Sequence, residues 1–251
     1  MKDVVFTALY GDYETLNEVN VPTSLNSRFL CFTDNPGLKS NTWEIVVTPA
    51  KVPGDSIRSS RAIKMLGYQD FPKGTRSLYV DNSVSLLASP NDILDNWLQS
   101  GPMAFMHHST RATVRDEFFI CSAYGLDNPS IIYSQYKFYK RRIPQILAEK
   151  PFWGGMIARV SDDSVDTFMN EWFAQYMRFA RRDQLGINAA AALTGIPISA
   201  IEGRNDLAWS HNWPIVMNRK NEIRDSIGQS VFRKPRIVIK GIRYAPKFYF
   251  K

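Results

Sequence analysis

Asp81 directly follows the apolar segment 77–80, whose residue types favour a β-strand. In open α/β sheets, ligands bind beyond the carboxyl ends of the strands, where loops and helix N-termini converge. A carboxylate there is well placed to hold Mg²⁺ or Mn²⁺, because one or two carboxylates and substrate phosphate oxygens commonly bind such ions. A turn or helix-capping carboxylate would have the same spacing, so Asp81-Asn82-Ser83 alone leaves both roles open.

Three cationic side chains, Arg58, Arg61 and Lys64, lie near one face of a helix predicted over residues 55–66. Asp55 is placed to cap the start of that helix. The three cations can bind an anionic ligand, or they can be solvated side chains on an ordinary helix surface.

A second polar group follows a strand predicted over residues 102–106. Its members are His107, His108, Arg111, Arg115 and Glu117. Histidines beside arginines suit an acceptor or diphosphate site, and plain surface polarity is an equal alternative. The spacing of the group contains no H-x-x-x-H or C-x-x-C, which argues against a structural zinc site.

Gly154 and Gly155 follow Trp153 in a segment that we interpret as a loop entering a strand. Two residues without side chains allow a loop to pass close to a sugar or a phosphate. A simple turn explains the pair equally well.

Asp183 and Gln184 open a helix that we predict over residues 184–193. A carboxylate at a helix start satisfies free N–H groups and interacts favourably with the helix dipole. Such a carboxylate is also rigidly aimed, which ligand recognition requires.

Length and composition indicate one soluble globular domain. The 251 residues are 44% hydrophobic and 22% charged, which is ordinary for such a protein. Cys31 and Cys121 each lie in an apolar stretch, which predicts buried thiols and a reducing, cytoplasmic environment. The apolar run near Met1 is interpreted as a strand and not a signal peptide, and no stretch approaches the roughly 20 apolar residues of a spanning helix.

The net charge of +7 is concentrated at the C-terminus. Residues 219–251 contain ten Lys and Arg but two acids, whereas residues 1–218 contain 21 basic and 22 acidic residues. A nearly neutral body argues against a nucleic-acid partner. The basic and aromatic tail suits contact with an anionic membrane, and a tail folded back on the domain is the alternative.

The elements that position these residues alternate along the chain. Strands are predicted over residues 4–9, 28–33, 43–47, 77–81, 84–87 and 102–106, and a loop that enters another strand is predicted over 153–158. Helices are predicted over 55–66, 91–99, 113–124, 131–141, 165–180 and 184–193. This alternation predicts an α/β fold with a mixed, mostly parallel central sheet flanked by helices.

Several segments resemble, in order, the TOD/MUCI-type glycosyltransferase-like proteins. They are Phe6-Thr7-Ala8-Leu9-Tyr10-Gly11-Asp12-Tyr13, Cys31-Phe32-Thr33-Asp34, Arg61-Ala62-Ile63-Lys64, Leu78-Tyr79-Val80-Asp81 and Arg182-Asp183-Gln184-Leu185. The resemblance covers residues 4–213 and implies a single GT-A-type (Rossmann-like) domain over 1–213, with the tail at 214–251. It also implies a nucleotide-sugar donor and a divalent metal held by a D-x-D motif.

The implied metal site departs from that motif at its third position, where Ser83 replaces an aspartate. Asp81 would still hold Mn²⁺ or Mg²⁺ with help from the donor diphosphate, although weakly in the free enzyme. His211 resembles the C-terminal histidine that completes the metal site of retaining family-8 glycosyltransferases. A packed or surface histidine beside tryptophans is the alternative.

The segment 182–188 resembles the D-Q-D-x-L-N stretch of the same family-8 enzymes. The resemblance implies that Asp183 contacts the sugar and that the Gln184 amide faces the anomeric centre, which favours a retaining outcome. Further donor contacts are expected from Thr7, Ala8, Tyr10, Arg58, Arg61, Lys64, Asp81, Asn82, Ser83, Gly154 and Gly155.

We therefore predict a metal-assisted glycosyltransferase with a nucleotide-diphospho-sugar donor, expected to be a UDP-sugar, and a glycan or lipid-linked acceptor, as in polysaccharide biosynthesis. His107, His108 and Arg111 would serve the acceptor or the diphosphate. The alternative is a non-catalytic GT-A-like module that binds glycans or a partner, which the loss of the second metal aspartate at Ser83 favours.

Overall fold

The computed structural model describes residues 2–12, 14–21, 27–214 and 244–249. Its strands are β1 (Asp3–Leu9), β2 (Ser27–Thr33), β3 (Glu44–Val47), β4 (Arg76–Val80), β5 (Ser85–Leu86), β6 (Met103–His107), β7 (Phe152–Val160), β8 (Ser199–Ile201) and β9 (His211–Asn212). Its α-helices are α1 (Ser56–Leu66), α2 (Pro90–Trp97), α3 (Val114–Ala123), α4 (Pro129–Arg142), α5 (Asp163–Arg178) and α6 (Ile187–Thr194).

Seven strands form the central sheet in the order β3-β2-β1-β4-β7-β6-β8. Strands β3, β2, β1 and β4 are parallel, β7 runs antiparallel to both β4 and β6, and β8 is parallel to β6. The predicted mixed, mostly parallel sheet with flanking helices is confirmed. The carboxyl ends of β1, β4 and β6 and the start of β7 consequently lie at one edge of the sheet, called here the ligand edge.

Apolar layers cover both faces of the sheet, because the central strands are buried on both sides. On one face, Phe6 and Phe105 pack with Ile63 of α1 and Trp172 of α5. On the other face, Val5, Leu78 and Ala104 pack with Ile93 and Trp97. These layers fix α1 and the strand ends, and so position the polar side chains at the ligand edge.

The prediction of a loop at Trp153-Gly154-Gly155 is wrong, because all three residues belong to β7. The register between β6 and β7 shifts here: Phe105 faces Ile157, whereas the next residue, Met106, faces Trp153. The extra residues form a bulge, which is where glycine occurs inside a strand.

The predicted helix start at Gln184 is also wrong. Residues Asp183–Gly186 form a 3-10 turn, and α6 begins at Ile187. Arg182 is the N-cap residue of the turn and makes no side-chain capping bond. Asp183 therefore does not occupy an N-cap position, although its Oδ1 accepts the Gln184 backbone N–H at 3.1 Å.

Part of the predicted tail folds back on the domain. Phe248 is buried against α3 and α4, where it stacks on Phe118, and its carbonyl accepts the Tyr136 hydroxyl at 2.8 Å. Most of the predicted membrane-binding tail, residues 215–243 and 250–251, lies outside the described residues. No helix in the described ranges has the length and apolar character needed to cross a bilayer.

Candidate functional site

A charged cluster at the ligand edge joins α1, the end of β4 and the 3-10 turn. The Lys64 Nζ lies 2.6 Å from Asp183 Oδ2, and the Arg61 Nε lies 3.2 Å from the same oxygen. Helical spacing places Arg61 and Lys64 on one face of α1, three residues apart. Two cations that were predicted to share a helix face thus meet the carboxylate predicted to contact the sugar.

Asp81 faces the same two cations from the end of β4. Its Oδ1 lies 3.5 Å from Lys64 Nζ and 3.8 Å from Arg61 Nη1, and it accepts a 2.8 Å hydrogen bond from the Tyr79 hydroxyl. The Asp81 backbone N–H donates to the Gly155 carbonyl at 2.8 Å. The strand end and the bulge in β7 therefore hold Asp81 in place.

Asp183 is held as a carboxylate in a buried position. Only 6% of the residue is exposed, and Lys64 is exposed at 1%. Burial by itself raises the pKa of Asp183, but the charges of Lys64 and Arg61 and the Lys64 hydrogen bond outweigh burial and hold it well below its usual range. Asp183 is therefore ionised at neutral pH.

The start of α1 is tied to the segment that carries Asp183. The Asp55 carboxylate accepts the Arg58 N–H at 3.0 Å, which confirms the predicted cap. It also lies 2.8 Å from Arg181 Nη2 and 3.4 Å from Arg58 Nη1. Asp55 therefore links the start of α1 to the residues just before the 3-10 turn.

The two glycines of β7 provide space for this arrangement. A Cβ on Gly154 would lie 3.2 Å from Lys64 Nζ and 3.6 Å from Asp183 Oδ2. A Cβ on Gly155 would lie 2.1 Å from the ring of Trp153. Gly154 thus borders the charged cluster, and Gly155 allows the buried Trp153 ring to cross the strand.

We predict that Gly155→Ala lowers the free energy of unfolding more than Gly154→Ala does. The new methyl at position 155 overlaps a buried ring that must move, and such overpacking costs about 1–3 kcal/mol. The methyl at position 154 meets the end of a lysine side chain. Urea unfolding of both variants measures the difference, and equal stabilities would contradict the assigned role of Gly155.

Three polar groups beside the cluster have no hydrogen-bond partner among the described residues. They are the buried atoms Gln184 Nε2, Arg58 Nε and the Tyr176 hydroxyl. Burial raises the pKa of Tyr176, whose hydroxyl is also influenced by the charges of Arg61 and Asp183. Since buried polar groups are nearly always hydrogen-bonded, these atoms fit an oxygen-rich ligand at the ligand edge.

The structure buries Thr7, Ala8 and Tyr10, from which donor contacts were predicted. Ala8 and Tyr10 belong to the apolar layer beneath α1, and the Ala8 carbonyl accepts the Ser60 hydroxyl at 3.3 Å. The Tyr10 hydroxyl is hydrogen-bonded to Thr48. The side chains of Ala8 and Tyr10 therefore support α1 and the edge from below.

Asn82 anchors the segment that follows β1. Its Oδ1 accepts the Asn17 N–H at 2.8 Å, and its Nδ2 donates to the Thr15 carbonyl at 2.9 Å. The side-chain amide predicted to contact the donor is thus engaged with this segment.

His211 lies in β9, which pairs with β5, and its ring stacks on Trp153. Its Nδ1 is 2.9 Å from the Ser210 hydroxyl and its Nε2 is 2.9 Å from the Asn205 carbonyl oxygen. Burial lowers the pKa of this imidazole. Both ring nitrogens are therefore already bonded to the protein, as expected of the packed histidine that we considered as the alternative.

Of the other two predicted metal ligands, Ser83 is already hydrogen-bonded to the protein and Asp81 is a carboxylate. Ser83 is buried and its hydroxyl accepts the Trp213 indole N–H at 3.1 Å, which leaves Asp81 as the one carboxylate of the set. Among the described residues, no group of three or more His, Cys, Asp or Glu side chains is arranged to hold a metal. This donor set does not fit a metal held by the protein alone.

The predicted acceptor residues lie at the end of β6, two strands from β4, or about 10 Å across the sheet. His107 is hydrogen-bonded to Glu202, and Arg111 Nε lies 3.1 Å from Glu117 Oε2. Burial lowers the pKa of His108, although the Glu117 carboxylate partly opposes this effect. Within this second polar group Arg111 pairs with Glu117, whereas His107 pairs with Glu202, which lies outside the group.

Sequence reasoning missed two residues, Trp172 and Arg159, that hydrogen-bond to the backbone of the cluster residues. The Trp172 indole N–H donates to the Asp183 carbonyl at 2.8 Å. The fully buried Arg159 donates to the Lys64 carbonyl at 2.7 Å, and its guanidinium lies 4.3 Å from the centre of the Tyr68 ring. The apolar strand around Arg159 gave no sign of this role, since the contact joins residues 95 positions apart.

Comparison with known proteins agrees with the family resemblance. The family described as TOD1/MUCI70, glycosyltransferase-like domain, matches residues 2–195. The chain is 27% identical over 205 residues to the probable hexosyltransferase MUCI70 of Arabidopsis thaliana, and the alignment covers 78% of this chain and 33% of that protein. The chain thus spans about a third of the length of this relative.

A solved structure, the bifunctional glycosyltransferase WbbM in its apo form, superposes with a TM-score of 0.44 at 9% identity. The superposition covers 77% of this chain and 37% of WbbM. The family assignment rests on the match over residues 2–195, which includes α1, the end of β4 and the 3-10 turn. The chain belongs to the TOD1/MUCI70 glycosyltransferase-like family.

Proposed function

We propose that the protein transfers a sugar from a nucleotide-diphospho-sugar, with a UDP-sugar as the expected donor, to a hydroxyl of a glycan or lipid-linked acceptor. The observation that carries the proposal is the cluster of buried Lys64 and Asp183 with partly buried Arg61 at the ligand edge, beside the unpartnered Gln184 Nε2. Family membership supports glycosyl transfer in general.

In the proposed reaction, the bond between the anomeric carbon and the diphosphate oxygen breaks, and its electron pair passes to that oxygen. The oxygen of the acceptor hydroxyl forms the new bond to the anomeric carbon, and its proton leaves to solvent. Asp183 binds sugar hydroxyls through its carboxylate, and the Gln184 amide stabilises the reacting centre. The position of Asp183 is fixed by Lys64, Arg61 and Trp172 before any ligand binds.

The divalent metal that the family resemblance implies stays a prediction. Because Ser83 and His211 are bonded to other protein groups, no step proposed here depends on it. Contact of the C-terminal tail with an anionic membrane and a place on the inner face of that membrane also stay predictions.

A donor-hydrolysis assay tests the proposal. Water can replace the acceptor hydroxyl, so the protein should release nucleoside diphosphate from one member of a panel of UDP-, GDP- and dTDP-sugars. A protein that binds a member of the panel without releasing nucleoside diphosphate, with and without acceptor glycans, would contradict the proposed transfer and favour a non-catalytic module. A protein that neither binds nor hydrolyses any member would contradict the proposed donor class.

A further inference from the structure

The carboxylate predicted to hold the metal already faces side-chain cations. Asp81 Oδ1 has Lys64 Nζ at 3.5 Å and Arg61 Nη1 at 3.8 Å, and it accepts the Tyr79 hydroxyl. A dication bound to this oxygen would face two positive charges across a few ångströms, a repulsion that the Asp183 carboxylate offsets in part.

The same side chains have the chemistry that a diphosphate requires. Arg61 keeps its charge at any working pH and presents a planar fork that matches phosphate oxygens. Lys64 is buried and held at 2.6 Å from Asp183, so its ammonium is oriented before a ligand binds. The Arg58 Nε adds a buried hydrogen-bond donor that has no partner among the described residues. Arg58 lies three residues before Arg61, about one turn earlier in α1.

We propose that Arg61 and Lys64 take the place of a metal ion and neutralise the charge that develops on the departing diphosphate, so that donor binding and turnover need no divalent cation. This inference rests on the proposed function. Preorganised cations at a site where charge develops lower the barrier without needing to reorganise during the reaction. Asp81 and Asp183 then serve to hold the two cations in position, and Asp183 contacts the sugar as well.

The replacement of the second metal aspartate by Ser83 agrees with this arrangement. Its hydroxyl accepts the Trp213 indole N–H, and Trp213 in turn packs edge-on against Trp153. Ser83 is uncharged and its hydroxyl is engaged by this aromatic packing, so it adds little to a metal site.

Titration calorimetry on the full chain with UDP, GDP and dTDP tests the inference, each nucleotide being measured in EDTA and in Mn²⁺. The dissociation constant of the nucleotide that binds should differ by less than about threefold between the two buffers. Arg61→Gln should weaken binding in EDTA about 10- to 100-fold, as expected for loss of a charge-assisted hydrogen bond. Arg61→Lys should recover part of that loss, because lysine keeps the positive charge but lacks the planar guanidinium that can bind two phosphate oxygens at once.

Arg28→Gln is the matched control, since Arg28 lies at the start of β2, at the opposite edge, in an exposed ion pair with Glu44. It should bind the nucleotide as the wild type does. Binding that is lost in EDTA and restored by Mn²⁺ would overturn the inference and leave the proposed function standing. Failure of all three nucleotides to bind in both buffers would overturn the proposed function itself.

Discussion

Replacing Asp183 with asparagine should lower the free energy of unfolding by about 3 kcal/mol or more, because the change leaves Lys64 buried beside a neutral amide. Lys64 is 1% exposed and its closest carboxylate oxygen is Asp183 Oδ2, at 2.6 Å. Asp81, at 3.5 Å, offers partial compensation. Urea unfolding of the wild type and the variant measures the loss.

Glu44→Gln provides the matched control for this carboxylate. Glu44 also pairs with an arginine, but the side chains of both partners are more than half exposed. An exposed ion pair contributes about 0–1 kcal/mol, so this variant should unfold almost as the wild type does. Equal stabilities of Asp183→Asn and Glu44→Gln would contradict the buried ion pair.

The same ion pair has a defined effect on acid stability. The folded-state pKa of Asp183 lies well below its usual range, so its contribution is complete above the unfolded-state pKa of about 3.9 and is lost as the pH falls below it. The wild type should therefore lose more stability between pH 5 and pH 3 than Asp183→Asn does. Urea unfolding of both proteins at pH 5 and pH 3 measures how much free energy of unfolding each one loses.

Gln184→Ala should lower kcat/KM about 10- to 150-fold and change the free energy of unfolding by less than about 1 kcal/mol. The Gln184 Nε2 is buried and has no partner among the described residues, so its removal leaves no other described group without a hydrogen bond. If the amide acts on the reacting centre, kcat falls more than donor affinity does.

Gln145→Ala is the control for Gln184→Ala, since Gln145 is an exposed glutamine in the 3-10 turn Pro144–Ala148. It should retain both stability and activity. An unchanged kcat/KM in Gln184→Ala would show that the Gln184 amide takes no part in the reaction and that the 3-10 turn has only a structural role.

The order of the main strands and helices was predictable because it depends on local patterns. The apolar runs of β1 and β4 and the cap at Asp55 follow from residue types and short spacings. The bulge in β7 was not predictable, because it depends on how the Trp153 ring crosses Gly155. A pair of glycines in sequence favours a loop and a bulge equally.

The candidate site was predicted residue by residue but not as a cluster. Asp183, Lys64 and Asp81 were each singled out, yet the contact between Lys64 and Asp183 joins residues 119 positions apart. Only the tertiary fold brings them together. The hydrogen bonds of Ser83 and His211 likewise could not be predicted from the sequence. These hydrogen bonds decide whether the two residues are available to a metal.

A crystal structure of the full chain with the nucleotide sugar that the hydrolysis assay selects tests the central claim most directly. We expect the diphosphate oxygens within about 3 Å of Arg61 or Lys64, with the sugar against Asp183 and Gln184. A donor bound elsewhere, for example in the basic groove along α4 lined by Ser134, Lys137, Phe138, Arg141 and Arg142, would contradict this account.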